Sequence, residues 1–240
     1  MNIGVIFAGG VGSRMHTKDK PKQFLNIFNK PVIIHTLEHF QNNENIDAVV
    51  IACVESYLDL MNELVAKYRM DKVRKIVPGG ETGQLSIYNG LCAAAEVAGN
   101  EKSIVLIHDG VRPLINSQLL TDNIETVKKF GNCITAGIVK ETIVVIDDDY
   151  AIQEVPSRAH SRVAKAPQSF WLDDILGTHK KAMSEGITNS IDSCTLMQQY
   201  GYTMHMIDGP YENIKITTPD DFFTMRAILE TKENEQIYLE

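Results

Sequence analysis

Apolar runs of strand length alternate along this chain with stretches whose apolar residues recur at helical spacing. Ile3 to Ala8, Ala48 to Val54, Lys75 to Val77, Ser103 to His108 and Ile134 to Val139 have the length and β-branched content of buried strands. Between them, Pro31 to Gln41, Tyr57 to Tyr68, Ser86 to Ala98 and Ser117 to Phe130 read as helices, the first with Pro31 near its start. The alternation predicts an α/β fold, a mostly parallel sheet with helices on its faces.

Glu141 to Ser161 breaks that rhythm. Thr142 to Ile146 is β-branched, Asp147-Asp148-Asp149 is a turn signal, and Ala151 to Val155 can return as a partner strand. The acidic triplet reads as a solvated hairpin tip rather than a metal site. Such a hairpin can project and pair with another subunit. Beyond it the pattern predicts helices at Trp171 to Ser184 and Asp192 to Tyr200, and strands at Thr203 to Ile207 and Asn213 to Thr217. A last helix begins at Pro219 with Thr218 as its cap. No repeat or linker divides the chain, so residues 1–240 read as one domain with an arm at about 141–161.

Composition narrows the partners. A net charge of −8 argues against a general nucleic-acid binder, which shows a basic footprint. No apolar run approaches the ~18–20 residues of a membrane span. Met1 leads straight into a strand, so no signal peptide is visible. Cys53, Cys92, Cys133 and Cys194 are widely spaced and read as free thiols in a reducing compartment. The expected location is the cytoplasm.

The chemistry gathers at strand ends. After Ile3 to Ala8 comes a glycine loop, Gly9-Gly10-Val11-Gly12-Ser13-Arg14, followed by Lys20-Pro21-Lys22-Gln23. Glycines let backbone N–H groups approach phosphates, and Arg14 and Lys22 add cations. The glycines alone fit an ordinary turn equally well. No Gly-Lys-Ser/Thr is present for a Walker A loop. Gly10 and Gly12 fit a dinucleotide fingerprint, but Met15 stands where its third glycine belongs. His108-Asp109-Gly110-Val111-Arg112-Pro113 ends another apolar strand, where open α/β sheets bind ligands. Asp109 there suits Mg²⁺ or a helix cap, and Arg112 suits a phosphate. Gly79-Gly80, with Ser86 beyond, is a second glycine turn, and Lys215 alternates with Ile214 and Ile216 so as to face either a cleft or solvent.

Together, AGGxGxRM with KPKQF, PGG with Ser86, HDGVRP, APQSF and NIKIT resemble the cytidylyltransferases that act on polyol phosphates, over nearly the whole chain. The AGG loop, Phe7 and HDGVRP look more like the branch acting on D-ribitol 5-phosphate than the branch acting on 2-C-methyl-D-erythritol 4-phosphate. Ala166 stands where many erythritol-phosphate members carry Thr, and Ile191-Asp192 replaces a common Thr-Asp. The resemblance implies a Rossmann-like sheet of the nucleotide-diphospho-sugar transferase type and a β-arm that makes a homodimer. It implies CTP and a polyol phosphate as substrates, with Mg²⁺ near Asp109. Arg14, Lys22 and Lys215 would be catalytic. Ala8, Gly9, Gly10, Gly12, Gly79, Gly80, Ser86 and Asp109 would hold the nucleotide. Arg112, Thr142 and a partner chain's Arg158 would hold the acceptor. The competing classes are a Rossmann oxidoreductase and a non-catalytic nucleotide binder. The latter is expected to lack one of the three catalytic cations.

Overall fold

The computed structural model describes residues 1–9 and 20–238. The chain opens with β1 (Asn2–Ala8) and a small ribbon of β2 (Asn26–Ile27) and β3 (Lys30–Pro31). Then come α1 (Val32–Asn42), β4 (Ala48–Cys53), α2 (Leu58–Lys67), β5 (Val73–Pro78), α3 (Gly83–Ala98), β6 (Ile104–Asp109), α4 (Ser117–Phe130) and β7 (Asn132–Ile138). The arm carries β8 (Val145–Ile146) and β9 (Ile152–Glu154). The chain continues through β10 (Arg162–Trp171), α5 (Leu172–Ser184), α6 (Ser193–Gln199), β11 (Met206–Asp208) and α7 (Pro219–Tyr238).

Seven strands form one sheet in the order β11-β7-β10-β6-β1-β4-β5. Only β10 opposes its neighbours; the other pairings are parallel. Two-residue periodicity divides the core. Ile6 of β1, Val49 and Ile51 of β4 and Leu106 of β6 face one helical layer that includes Leu37 of α1, Met61 of α2 and Leu120 of α4. Ile3 and Val5, Val50, and Val105 and Ile107 face the other, with Leu91 of α3 and Ile175 of α5. Each fully buried aliphatic side chain contributes about 1.5–3 kcal/mol. A third cluster joins Val32, Val111, Ile216 and Met225, pinning α7 beside the start of α1.

Several elements differ from the sequence pattern. β10 was not anticipated: Pro167 lacks an N–H, and the ladder to β7 shifts register between Ala164 and Gln168, which hides a strand in the sequence. Asn213 to Thr217 is not a strand; it lies against the fold through one backbone bond, Ile216 N–H to Val111 O at 3.0 Å. α3 starts three residues before Ser86 because the Thr82 hydroxyl caps it, accepting from the Leu85 N–H. The Thr218 cap is present, in a reciprocal pair with Asp221. The acidic triplet forms the hairpin tip, where Asp147 accepts the N–H groups of Asp149 and Ala151. All four cysteines are free, and burial pushes the Cys53 and Cys133 thiols up to about 11 and about 12. Among the described residues no helix is long and apolar enough to cross a membrane.

Candidate active site

β1 has β4 on one side and β6 on the other, so the chain reverses direction across the sheet at the end of β1. A crevice opens at that point, as parallel α/β sheets require. It is a cleft of about 660 Å³ lined by Ala8, Gly9, Lys22, Gly79, Gly80, Ser86, Asp109 and Lys215, among others. These expected residues come together from five separate segments. Gly10, Gly12 and Arg14 lie outside the described residues.

The glycines are needed for close approach. A Cβ on Gly9 would sit 2.7 Å from the Ser86 hydroxyl, and one on Gly80 would sit 2.4 Å from Leu85 Cβ. Ser86 Oγ accepts the Gly80 N–H at 3.0 Å and lies 2.9 Å from the Thr82 carbonyl, so it fixes the second glycine turn onto α3. Lys22 occupies a short 3-10 turn, Lys22–Phe24, and is buried in the cleft wall. The next residue, Gln23, donates its amide to the Ala8 carbonyl at 2.8 Å and ties that turn to the end of β1.

Asp109 ends β6 and is buried. Its Oδ1 accepts from Lys215 Nζ at 2.5 Å and its Oδ2 from Arg112 Nε at 2.8 Å. Burial alone would raise its pKa, but Lys215 and Arg112 outweigh burial and hold the carboxyl at about 2. Two cations on one carboxylate leave that cluster net positive, which suits a phosphate. Arg112 Nη1 also reaches the Asn213 carbonyl at 3.2 Å, and the Asn213 amide donates to the Ala166 carbonyl at 2.8 Å. Three motifs scattered in sequence are thereby bonded into one support. His108, on the opposite side of β6, bonds the Arg112 carbonyl through Nε2 at 3.0 Å. Burial lowers its pKa to about 4, so it is neutral and donates.

Thr142 and Arg158 are exposed and line neither the cleft nor the cavity next to it in their own chain; Arg158 donates to the Lys140 carbonyl at 3.2 Å. That neighbouring cavity, of about 270 Å³, is lined by Gln168 of the APQSF motif and by Asp192, and also by Lys165, His179 and Ser193, to which the sequence assigns no role. Gln168 belongs to APQSF and Lys165 immediately precedes it, but the direction of either side chain is set by β10, which the sequence pattern does not reveal. Lys165 Nζ donates to the Tyr211 carbonyl at 3.0 Å; burial and then Arg112 lower its pKa. Nothing local in the sequence marks His179 or Ser193, because the fold alone brings α5 and α6 to the sheet's end.

Asp109 has both oxygens in ion pairs. Among the described residues no group of three or more His, Cys, Asp or Glu could hold a metal. Magnesium is commonly bound by one or two carboxylates plus substrate phosphates. The residues therefore fit an Mg²⁺ that comes with a triphosphate, not one caged by protein.

A doubly wound sheet whose switch-point crevice joins glycine turns to a lysine–aspartate–arginine cluster defines a nucleotide-binding α/β protein. The family described as IspD, 2-C-methyl-D-erythritol 4-phosphate cytidylyltransferase, matches residues 3–231. The chain belongs to this cytidylyltransferase family. It is 56% identical, over 99% of both chains, to the ribitol-5-phosphate cytidylyltransferase of Streptococcus agalactiae. Identity to the 2-C-methyl-D-erythritol 4-phosphate cytidylyltransferase of Clostridium acetobutylicum is 36%, over 95% of this chain and 97% of that one. The crystal structure of 4-diphosphocytidyl-2C-methyl-D-erythritol synthase from Anaerococcus prevotii superposes with a TM-score of 0.83 at 27% identity, covering 95% of this chain and 96% of that one.

Proposed function

We propose that this protein transfers CMP from CTP to D-ribitol 5-phosphate, giving CDP-ribitol and pyrophosphate. The observation that carries the acceptor is the 56% full-length identity to a ribitol-5-phosphate enzyme, against 36% to an erythritol-phosphate enzyme. Ala166, which lines the acceptor-side cavity, accords with it by offering no hydroxyl there. The erythritol phosphate is the second reading, favoured by the family's description and by the name of the Anaerococcus prevotii structure. The oxidoreductase alternative falls with the family match.

In this reading CTP lies in the larger cleft, with Gly79, Gly80 and Ser86 along the nucleoside and Lys22 along the triphosphate; Arg14 would add its charge to the same anion, as the family resemblance implies. The acceptor's phosphate oxygen attacks the α-phosphorus, and the bond to pyrophosphate breaks in line. Lys215 leaves Asp109 for the α-phosphate, whose charge rises as five oxygens crowd the phosphorus. Arg112 and Lys165 hold the acceptor phosphate where the two cavities meet. Catalysis is then positioning and charge neutralisation by preorganised groups. A bound Mg²⁺ would neutralise phosphate charge, and Asp109 would hold it.

The arm exposes Ile143, Val144, Val145, Ile146, Ile152 and Val155 together. Contiguous exposed apolar surface marks an interaction site. We assign it to a second copy of this chain, whose arm would bring the partner subunit's Thr142 and the partner subunit's Arg158 to this cleft. The activity is tested by pyrophosphate release with D-ribitol 5-phosphate, Mg²⁺ and each nucleoside triphosphate. CTP should be strongly preferred; equal turnover with ATP would contradict the assignment.

A further inference from the structure

The 270 Å³ cavity adjoins the larger cleft and shares Phe7, Gly83, Asp109 and Lys215 with it. Charged groups stand at that shared end: Asp109, Arg112, Lys165 and Lys215. Much of the remaining polar wall is already satisfied. The Gln168 amide donates to Asp192 at 2.8 Å and accepts the Cys194 N–H at 2.9 Å. The Gln84 amide donates to the Ile187 carbonyl and accepts the Ser190 N–H, both at 2.7 Å.

His179 and Ser193 differ. They are only 1% and 2% exposed, and both line the cavity. Among the described residues, neither ring nitrogen of His179 nor the Ser193 hydroxyl has a hydrogen-bond partner. Buried side-chain polar groups are nearly always paired, so two orphans on one cavity call for a ligand. The ring is held from behind by Tyr88, stacked at 6.3 Å. Burial lowers the His179 pKa to about 4, so the imidazole is neutral. A neutral imidazole has one donor and one acceptor, and a serine hydroxyl has both functions. That set complements the hydroxyls of an uncharged chain and not a phosphate.

We propose that the polyol chain of the acceptor enters this cavity from the phosphate end at Asp109 and Lys215, and that His179 and Ser193 read its hydroxyls. This rests on the acceptor placement argued above. The orphan atoms are themselves covered, so in this proposal each side chain turns toward the cavity to meet a hydroxyl. Loss of one such hydrogen bond weakens binding by about tenfold. His179 and Ser193 thus select the acceptor without touching CTP.

Steady-state kinetics of His179→Phe, His179→Gln and Ser193→Ala with D-ribitol 5-phosphate test this. His179→Phe and Ser193→Ala should each raise the acceptor KM by about tenfold while the KM for CTP stays within about twofold. His179→Gln, which keeps a donor and an acceptor, should recover most of the loss. Ser193→Ala should match or exceed the wild-type Tm, because it removes an unpaired buried hydroxyl; a merely structural serine would instead lower Tm and spare the acceptor KM. If His179→Phe does not fold, Ser193→Ala decides alone. Wild-type turnover of D-ribitol 5-phosphate with an unchanged acceptor KM in the folded variants would overturn this inference only. Absence of pyrophosphate release with any polyol phosphate would overturn the assigned activity and this inference with it.

Discussion

At Asp109 burial and charge pull in opposite directions. Burial favours the neutral acid, and Lys215 and Arg112 together favour the anion and prevail. The carboxyl therefore sits at about 2 in the folded chain, below its ordinary 3.8. A depressed carboxyl adds stability that is full above its unfolded value and lost as pH falls toward the folded one. The buried neutral His108 and His179, each near 4 instead of 6.5, act earlier in the same direction. The unfolded chain takes up protons at these two histidines that the folded chain refuses. Thermal melts should show stability falling first between about pH 6.5 and 4, then further between about pH 4 and 2. In Asp109→Asn the second step should shrink; an unchanged second step would mean the ion pairs do not depress that carboxyl. Lys22 and Lys215 concern rate. Lys22→Ala and Lys215→Ala should each lower kcat by about 10²–10³, the loss typical of one transition-state donor. A near-normal kcat in either variant would remove that lysine from the chemistry.

The parallel strands and the helices between them were legible because each carries its own period, as in Ile3 to Ala8 with residues facing alternate layers. The ends were legible where a cap is local: α4 runs over the expected Ser117–Phe130, with Asn116 capping one end and Gly131, at φ 91°, closing the other. β10 was not legible. Its information lies in pairing with β6 and β7, and Pro167 looks like a break when those partners are unseen. The same limit applies to the site. Gly9, Gly79, Ser86, Asp109 and Lys215 stood out by type and motif, whereas His179 and Ser193 matter only through where α5 and α6 end up. The alternation around Lys215 predicts a strand, yet its segment is not one and is held in part by Ile216, buried against Val111 and Met225. Ile216→Ala should cost about 2–5 kcal/mol, seen as a lower urea midpoint at unchanged m. It should also lower kcat, because Lys215 loses its anchor. A stability loss with kcat intact would show that Asp109 and the hydrogen bonds of Asn213 position Lys215 without Ile216.

Across the whole molecule, one chain supplies the cleft and leaves Thr142 and Arg158 outside it. An arginine fork binds phosphate in a way lysine cannot copy, so an Arg158 donated by a partner's arm would complete the acceptor site. Chains carrying Arg158→Ala or Lys215→Ala should each be nearly inactive alone. Refolded together in equal amounts, about half the dimers are mixed, and each mixed dimer has one intact site, giving roughly a quarter of wild-type activity. No recovery, with chain exchange verified by native mass spectrometry, would show that each arm serves its own cleft. The central claim is the transfer of CMP to D-ribitol 5-phosphate in the Asp109 cleft. Its most direct measurement is a competition: CTP, Mg²⁺ and equal amounts of D-ribitol 5-phosphate and 2-C-methyl-D-erythritol 4-phosphate in one reaction, with the products resolved by ³¹P NMR. CDP-ribitol should form first and in large excess, with pyrophosphate in equal amount. Predominant formation of the cytidine diphosphate derivative of methylerythritol, or consumption of neither acceptor, would contradict the account.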